Sequence, residues 1–283
     1  MSSQSRASAA KKGASTPKKS ALPALEVRDF RTELTAALAK KDSEGRAWSS
    51  ATWGVYAFYD FDGEPIYVGQ TKERLATRIR RHLTNQRSDA VAMRILDVFE
   101  VAAFEMWPIW DLQDFDGRTA TPEAKVDARN RLDRAEYAAY LDAIEKSRFK
   151  VILNEKIPPL SENPELPLVS SGRLSLLTEE ARNRQNHPDV RISRRAENLS
   201  RLAAVAYERG EVTDGLRRVI VVQAVRLAYL AAVRLAEVEG REQPDSSAIS
   251  VQDLIGQVLY EPTDPGGARS SEEIEAAAPS AED

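Results

Sequence analysis

Gly54-Val55-Tyr56 and its mirror, Tyr67-Val68-Gly69, place two tyrosines eleven residues apart. Eleven residues beyond Tyr67 stands Arg78, and four beyond that stands His82. Residues four apart share a helix face, so this guanidinium and this imidazole can point at one site. The segment that carries them is basic: Lys72, Arg74, Arg78, Arg80, Arg81, Arg87 and Arg94 stand against Glu73 and Asp89. A local positive surface of this kind suits phosphate contacts, which supply affinity without reading sequence.

These residues need a scaffold, and the surrounding sequence predicts one. Residues 54–60 and 65–69 are aromatic and branched, and Asp62-Gly63 between them is a strong turn signal, so a hairpin is expected. Residues 72–85 read as a helix, with Leu75, Ile79 and Leu83 repeating on one face. A shorter helix is expected at 89–97 and a third strand at 99–108. Thr121 and Pro122 suit the start of a long helix running to about Ser147. A short apolar run, 149–153, ends at Asn154. Four prolines between 157 and 168 mark a linker. Residues 175–240 are again helical in pattern, with breaks suggested by Gly210 and Gly215, and a last short helix is expected at 250–260.

Composition narrows the chemistry. The chain has 283 residues, a net charge of -4 and no cysteine, so disulfide scaffolds, thiolate metal clusters and catalytic thiols are excluded. His82 and His187 are the only histidines, which excludes a multi-histidine zinc site. Overall acidity excludes a wholly basic coat protein but not a basic face. The longest apolar stretch, 219–233, contains Gln223 and Arg226 and falls short of a clean membrane span. No apolar segment follows the N-terminal lysines as in a secretory signal, so a cytoplasmic protein is expected.

The order of these residues resembles the GIY-YIG nuclease superfamily, whose members include excision-repair nucleases, phage homing endonucleases and restriction enzymes. The matching residues are Gly54, Val55 (where the motif has Ile) and Tyr56, then Tyr67, Val68 and Gly69, then Arg78. His82 matches the histidine that homing and restriction members place after the arginine. The resemblance implies a metal-ligating glutamate on the long helix, assigned to Glu136, with Glu123 and Glu145 on the same helix as alternatives. It also implies a closing asparagine, assigned to Asn154. By this resemblance Glu136 would hold one Mg²⁺ or Mn²⁺ ion, and Arg78 would bind the scissile phosphate together with His82. Tyr56 would take a proton from the attacking water, directly or in relay with His82. Tyr67 would orient water or a phosphate oxygen, and Asn154 would hold the site together. Gly54 and Gly69 would permit the tight strand ends, and Lys72, Arg74, Arg80 and Arg81 would contact nucleic acid.

The expected fold is a small α/β domain, with a mixed three-stranded sheet flanked by helices, followed by an all-α C-terminal region. The segments are a disordered basic tail (1–22), an N-terminal helix (23–50), the nuclease-like domain (51–157), a linker (158–173), a helical domain (174–260) and a disordered acidic tail (261–283). The basic tail would either touch nucleic acid or merely solubilise the chain. The arginines at 182, 184, 191, 194, 195 and 201 would add DNA contacts, form a dimer surface or cap the nuclease core. The expected function is Mg²⁺-dependent endonucleolytic cleavage of DNA, with restriction or phage defence as its setting. A homodimer would supply the two sites needed to cut both strands, and no membrane is expected as a partner. The rival readings are a non-catalytic DNA-binding or assembly module, and a structure-specific repair or RNA nuclease.

Overall fold

The computed structural model describes residues 23–84 and 95–256. The expected basic and acidic tails lie outside the described residues, as do residues 85–94 and 257–260, which include parts of three expected helices. Helix α1 covers Leu25–Leu38 and buries Phe30, Leu34, Ala37 and Leu38. Strands β1 (Gly54–Tyr59) and β2 (Pro65–Thr71) then form an antiparallel hairpin. Its turn is closed by the Asp60 side chain, whose Oδ1 accepts from the amides of Asp62 at 2.9 Å and Glu64 at 3.0 Å. Gly63 takes the left-handed conformation that such a turn requires (φ 74°). Helix α2 (Leu75–Thr84) follows, and then strand β3 (Ala103–Pro108).

Strand β3 is shorter than expected, because 98–100 forms a single 3₁₀ turn with Asp97 accepting from the Phe99 amide at 3.0 Å. Helix α3 (Pro122–Lys146) starts as expected, with the Thr121 hydroxyl accepting from the Ala124 amide. The expected helix at 89–97 does not extend over its described end, 95–97.

The sheet corrects the expected one in two respects. It has four strands, in the order β2-β1-β3-β4, and every pairing is antiparallel. The fourth strand, β4, is only Leu174–Ser175. The end of the proline-rich segment leads into it along β3, with the Ser171 amide donating to Met106 O at 2.9 Å. Two residues carry no alternation of polar and apolar side chains, so no sequence pattern could announce this strand.

Helices α4 (Glu179–Gln185), α5 (Pro188–Arg209), α6 (Asp214–Glu239) and α7 (Val251–Ile255) complete the described chain. Gly210 ends α5 as expected. Gly215 breaks nothing: it lies in the first turn of α6, where a Cβ would overlap the Glu155 carbonyl. His187 caps α5, its Nδ1 accepting from the Asp189 amide at 3.2 Å. Helix α6 is long and apolar enough to cross a membrane by length and composition. It nevertheless buries Gln223 and Arg226, and Leu216, Val219 and Val222 join the same core as Tyr56 and Phe58. That packing buries part of its apolar surface, while Leu235 and Val238 are exposed.

Arg191, Arg195 and Arg226 cross to the hairpin end of β1. Asp60 Oδ2 receives Arg226 Nη2 at 2.8 Å, Arg195 Nη2 at 2.9 Å and Arg191 Nη2 at 3.5 Å. Glu100 pairs with Arg195 Nε at 2.9 Å, and Asp62 with Arg191 Nη2 at 2.8 Å. Of the three roles open to these arginines, Arg191 and Arg195 take the capping one. Both are buried and paired, and so are withdrawn from any DNA surface. Removing one partner from a buried pair strands the others, at a cost of about 3–5 kcal/mol. Asp60→Asn is therefore expected to lower unfolding stability by about 3 kcal/mol or more in a urea titration. A change below about 0.5 kcal/mol would show that the cluster does not hold the helices down.

Candidate active site

The site forms where β1, β2, α2 and α3 meet. Tyr56 and Phe58 point to the face of β1 that α2 covers, because alternate residues of a strand share a face. Strand pairing sets Tyr56 opposite Gly69 and Phe58 opposite Tyr67. The two tyrosine rings stack with centroids 6.3 Å apart. Gly69 is required here: a Cβ at that position would stand 2.5 Å from the Tyr56 hydroxyl oxygen. Gly54 allows an equally close approach to the Trp107 carbonyl, at 2.8 Å. Gly69→Ala must push the phenol aside. A displacement near 1 Å costs on the order of 100-fold in rate, so a loss of about that size is expected with the far-UV circular dichroism spectrum unchanged. Full activity in this variant would show that the position of the phenol does not matter.

Helix α2 brings two side chains to the Tyr56 hydroxyl. His82 Nε2 lies 2.7 Å from it, and Arg78 Nε donates to it at 3.3 Å. Tyr56 is fully buried, and burial pushes its phenol well above the usual range although the Arg78 charge opposes this. Tyr67 is half-buried, and desolvation raises it to about 12. His82 is 1% exposed, and its imidazole is lowered to about 3 by burial, then by the charges of Arg78 and Arg81. It is therefore neutral at any working pH. The ring sits behind Tyr56 and faces the phenol. Arg78 is half-buried and makes no ion pair among the described residues, so its outer nitrogens remain available to an anion.

Glu136 comes from α3, whose buried face also carries Leu132, Ala139 and Tyr140. The Gln70 amide groups favour its charged form, and Gln70 Nε2 donates to the neighbouring Asp133 Oδ1 at 2.9 Å. Burial, and then the charge of Asp133, raise its pKa to about 7, against the opposing pull of Gln70 and Arg78. Glu123 lies exposed at the helix start, and Glu145 is exposed near its end beside Lys150. Of the three candidate glutamates, only Glu136 senses Tyr56, Tyr67 and Arg78 electrostatically. A half-buried carboxylate with no ion pair among the described residues fits a hard divalent cation. Among those residues no group of three or more His, Asp or Glu side chains could hold a metal. One carboxylate is sufficient for Mg²⁺, which keeps most of its waters.

Asn154 holds the site together without entering it. Its Oδ1 accepts from the Val68 amide at 3.0 Å and its Nδ2 donates to the Val68 carbonyl at 2.8 Å. It thereby acts as a one-residue strand along the outer edge of β2. The basic residues of the α2 region divide. Lys72, Arg74 and Arg80 are exposed, with Lys72 Nζ 5.8 Å from the Trp53 ring centroid, whereas Arg81 is paired with Glu73 at 2.7 Å. Sequence reasoning missed Gln70 and Asp133. The spacing of Asp133, three residues before Glu136, was the available signal for a second carboxylate on that face.

Residues 52–114 match the family model described as the GIY-YIG catalytic domain. The match spans less than a quarter of the chain; it includes Tyr56, Tyr67, Arg78 and His82 and stops short of Glu136 and Asn154. Neither the curated proteins nor the solved structures yielded a match. The match supports a GIY-YIG domain within this segment, and nuclease activity is what such a domain suggests.

Proposed function

We propose that this GIY-YIG domain is a metal-dependent endonuclease that hydrolyses phosphodiester bonds in DNA, using Mg²⁺ or Mn²⁺ held at Glu136. The observation that carries the reading is the convergence of Arg78 Nε and His82 Nε2 on the buried hydroxyl of Tyr56. Phosphodiester hydrolysis needs a proton acceptor for the attacking water, positive charge on the phosphate and help for the leaving oxygen.

Tyr56 cannot stand ready as a phenolate, because its burial favours the protonated form. Its route to acting as a base is to pass a proton on as it receives one. The attacking water gives its proton to Tyr56 Oη while the phenolic proton crosses 2.7 Å to His82 Nε2. Neutral His82 has the lone pair for this step. The planar fork of Arg78 binds the scissile phosphate, and its arrival offsets a positive charge that otherwise keeps the imidazole from accepting a proton. Tyr67, stacked on Tyr56, orients water or a phosphate oxygen. Glu136 would hold the divalent cation, which would supply charge neutralisation for the leaving 3′ oxygen. Exposed Lys72, Arg74 and Arg80 contact the flanking backbone.

Restriction or phage defence is the setting we favour, and a homodimer would cut both strands. The test is a supercoiled-plasmid assay with Mg²⁺ and with chelator. Nicking or linearisation in Mg²⁺ alone is expected. Bound plasmid that stays supercoiled under all metal conditions would favour a binding module instead, and cleavage confined to branched DNA or to RNA would move the enzyme to repair or RNA processing.

A further inference from the structure

A metal-binding carboxylate must be aimed as well as present, and the edge of β2 does the aiming. Backbone groups that face away from β1 recur every second residue along this strand. Ile66 O accepts from the Leu153 amide at 2.8 Å, Val68 pairs with Asn154, and Gln70 is the next residue to face this edge. Its side chain provides the link to α3. Gln70 Nε2 donates at 2.9 Å to Asp133 Oδ1, one helical turn before Glu136.

We propose that Gln70 is a positioning residue for the metal-binding carboxylate, its amide holding Glu136 and Asp133 in fixed relation one helical turn apart. This rests on the metal-dependent reading above. Two carboxylates at this spacing repel each other. A side-chain amide has two N–H donors and can serve both at once. Asp133 is steadied on its other side by Arg129, whose Nε lies 3.7 Å away. Gln70 therefore fixes which lone pairs of Glu136 remain free for a cation, although it does not touch the ion or the substrate. Partners that orient a metal ligand in this way are typically worth about 10–100-fold in metal affinity.

The test measures Mn²⁺ uptake by electron paramagnetic resonance on the full chain, with a non-cleavable phosphorothioate duplex present. Wild type, Gln70→Ala and Glu136→Gln are compared, and Gln70→Met serves as a variant of similar length that lacks the donors. Both Gln70 variants are expected to bind Mn²⁺ about tenfold more weakly. The Mn²⁺ needed for half-maximal cleavage should rise equally, with the rate at saturating Mn²⁺ within about twofold of wild type. Wild-type affinity in a folded Gln70 variant, with uptake lost in Glu136→Gln, overturns the role of Gln70 and leaves the metal reading standing. Equal uptake in wild type and Glu136→Gln, or none in wild type, overturns both.

Discussion

Tyr56→Phe is expected to slow DNA cleavage by about 10³–10⁴-fold while leaving the fold and DNA affinity in place. The substitution removes a single oxygen from a fully buried ring, and the aromatic packing against Phe58 and Tyr67 survives. What is lost is the hydroxyl that meets His82 Nε2 at 2.7 Å. General base catalysis by one positioned group is worth about 10²–10⁴-fold, and here the loss also disconnects the imidazole. His82→Ala should therefore add little to Tyr56→Phe, because groups acting as a unit are not additive. Single-turnover rates of the two single variants and the double variant would show this. A Tyr56→Phe enzyme within about threefold of wild type would exclude the phenol from proton transfer.

Glu136→Gln is expected to abolish metal-dependent cleavage, a loss of at least about 10³-fold, because the cation contributes several kcal/mol at the phosphate. Binding to DNA in chelator should persist, since Lys72, Arg74, Arg78 and Arg80 are untouched. The pH dependence has a defined sign. With its pKa raised to about 7, Glu136 is largely protonated below that pH in the free enzyme, and a proton must leave before a cation can bind. The Mg²⁺ concentration for half-maximal activity should therefore fall as pH rises from 6 to 8, by up to about tenfold per unit below pH 7. A Mg²⁺ requirement that does not change across this range would show that Glu136 is not the ligand. Residual full activity in Glu136→Gln would lead to the same conclusion.

The local part of this site was legible because it is written in short spacings. Asp62-Gly63 announces the hairpin, and the hairpin alone brings Tyr56 and Tyr67 to one face. Thr121 and Pro122 announce α3, which presents Glu136. The inward turn of His82 was legible too. At positions 75, 79, 82 and 83 the buried side of α2 reads Leu, Ile, His, Leu, the i, i+4, i+7, i+8 stripe of an amphipathic helix. The same period that makes Leu83 a core residue turns His82 inward, where its polar partner among the described residues is the Tyr56 hydroxyl.

What was not legible depends on contacts distant in sequence. Asp60 meets Arg191, Arg195 and Arg226, which lie more than a hundred residues away on two other helices. A run of arginines has the same composition whether it is exposed to solvent or buried against an aspartate. Asn154 gave no sign that it completes the edge of β2, because one side chain imitating a backbone has no period. The antiparallel direction in which β3 pairs with β1, and β4 with β3, likewise follows from the course of the chain between them, not from any residue pattern within the strands.

The central claim is that one cation binds at Glu136, beside the phosphate held by Arg78. The most direct measurement is anomalous scattering at the manganese edge from crystals of the full chain grown with Mn²⁺ and a phosphorothioate duplex. The account predicts a single peak within coordination distance of the Glu136 carboxylate, with the Arg78 fork on a phosphate of the bound duplex. A peak at Glu123 or Glu145, or duplex bound away from Tyr56 with no metal between them, would contradict it.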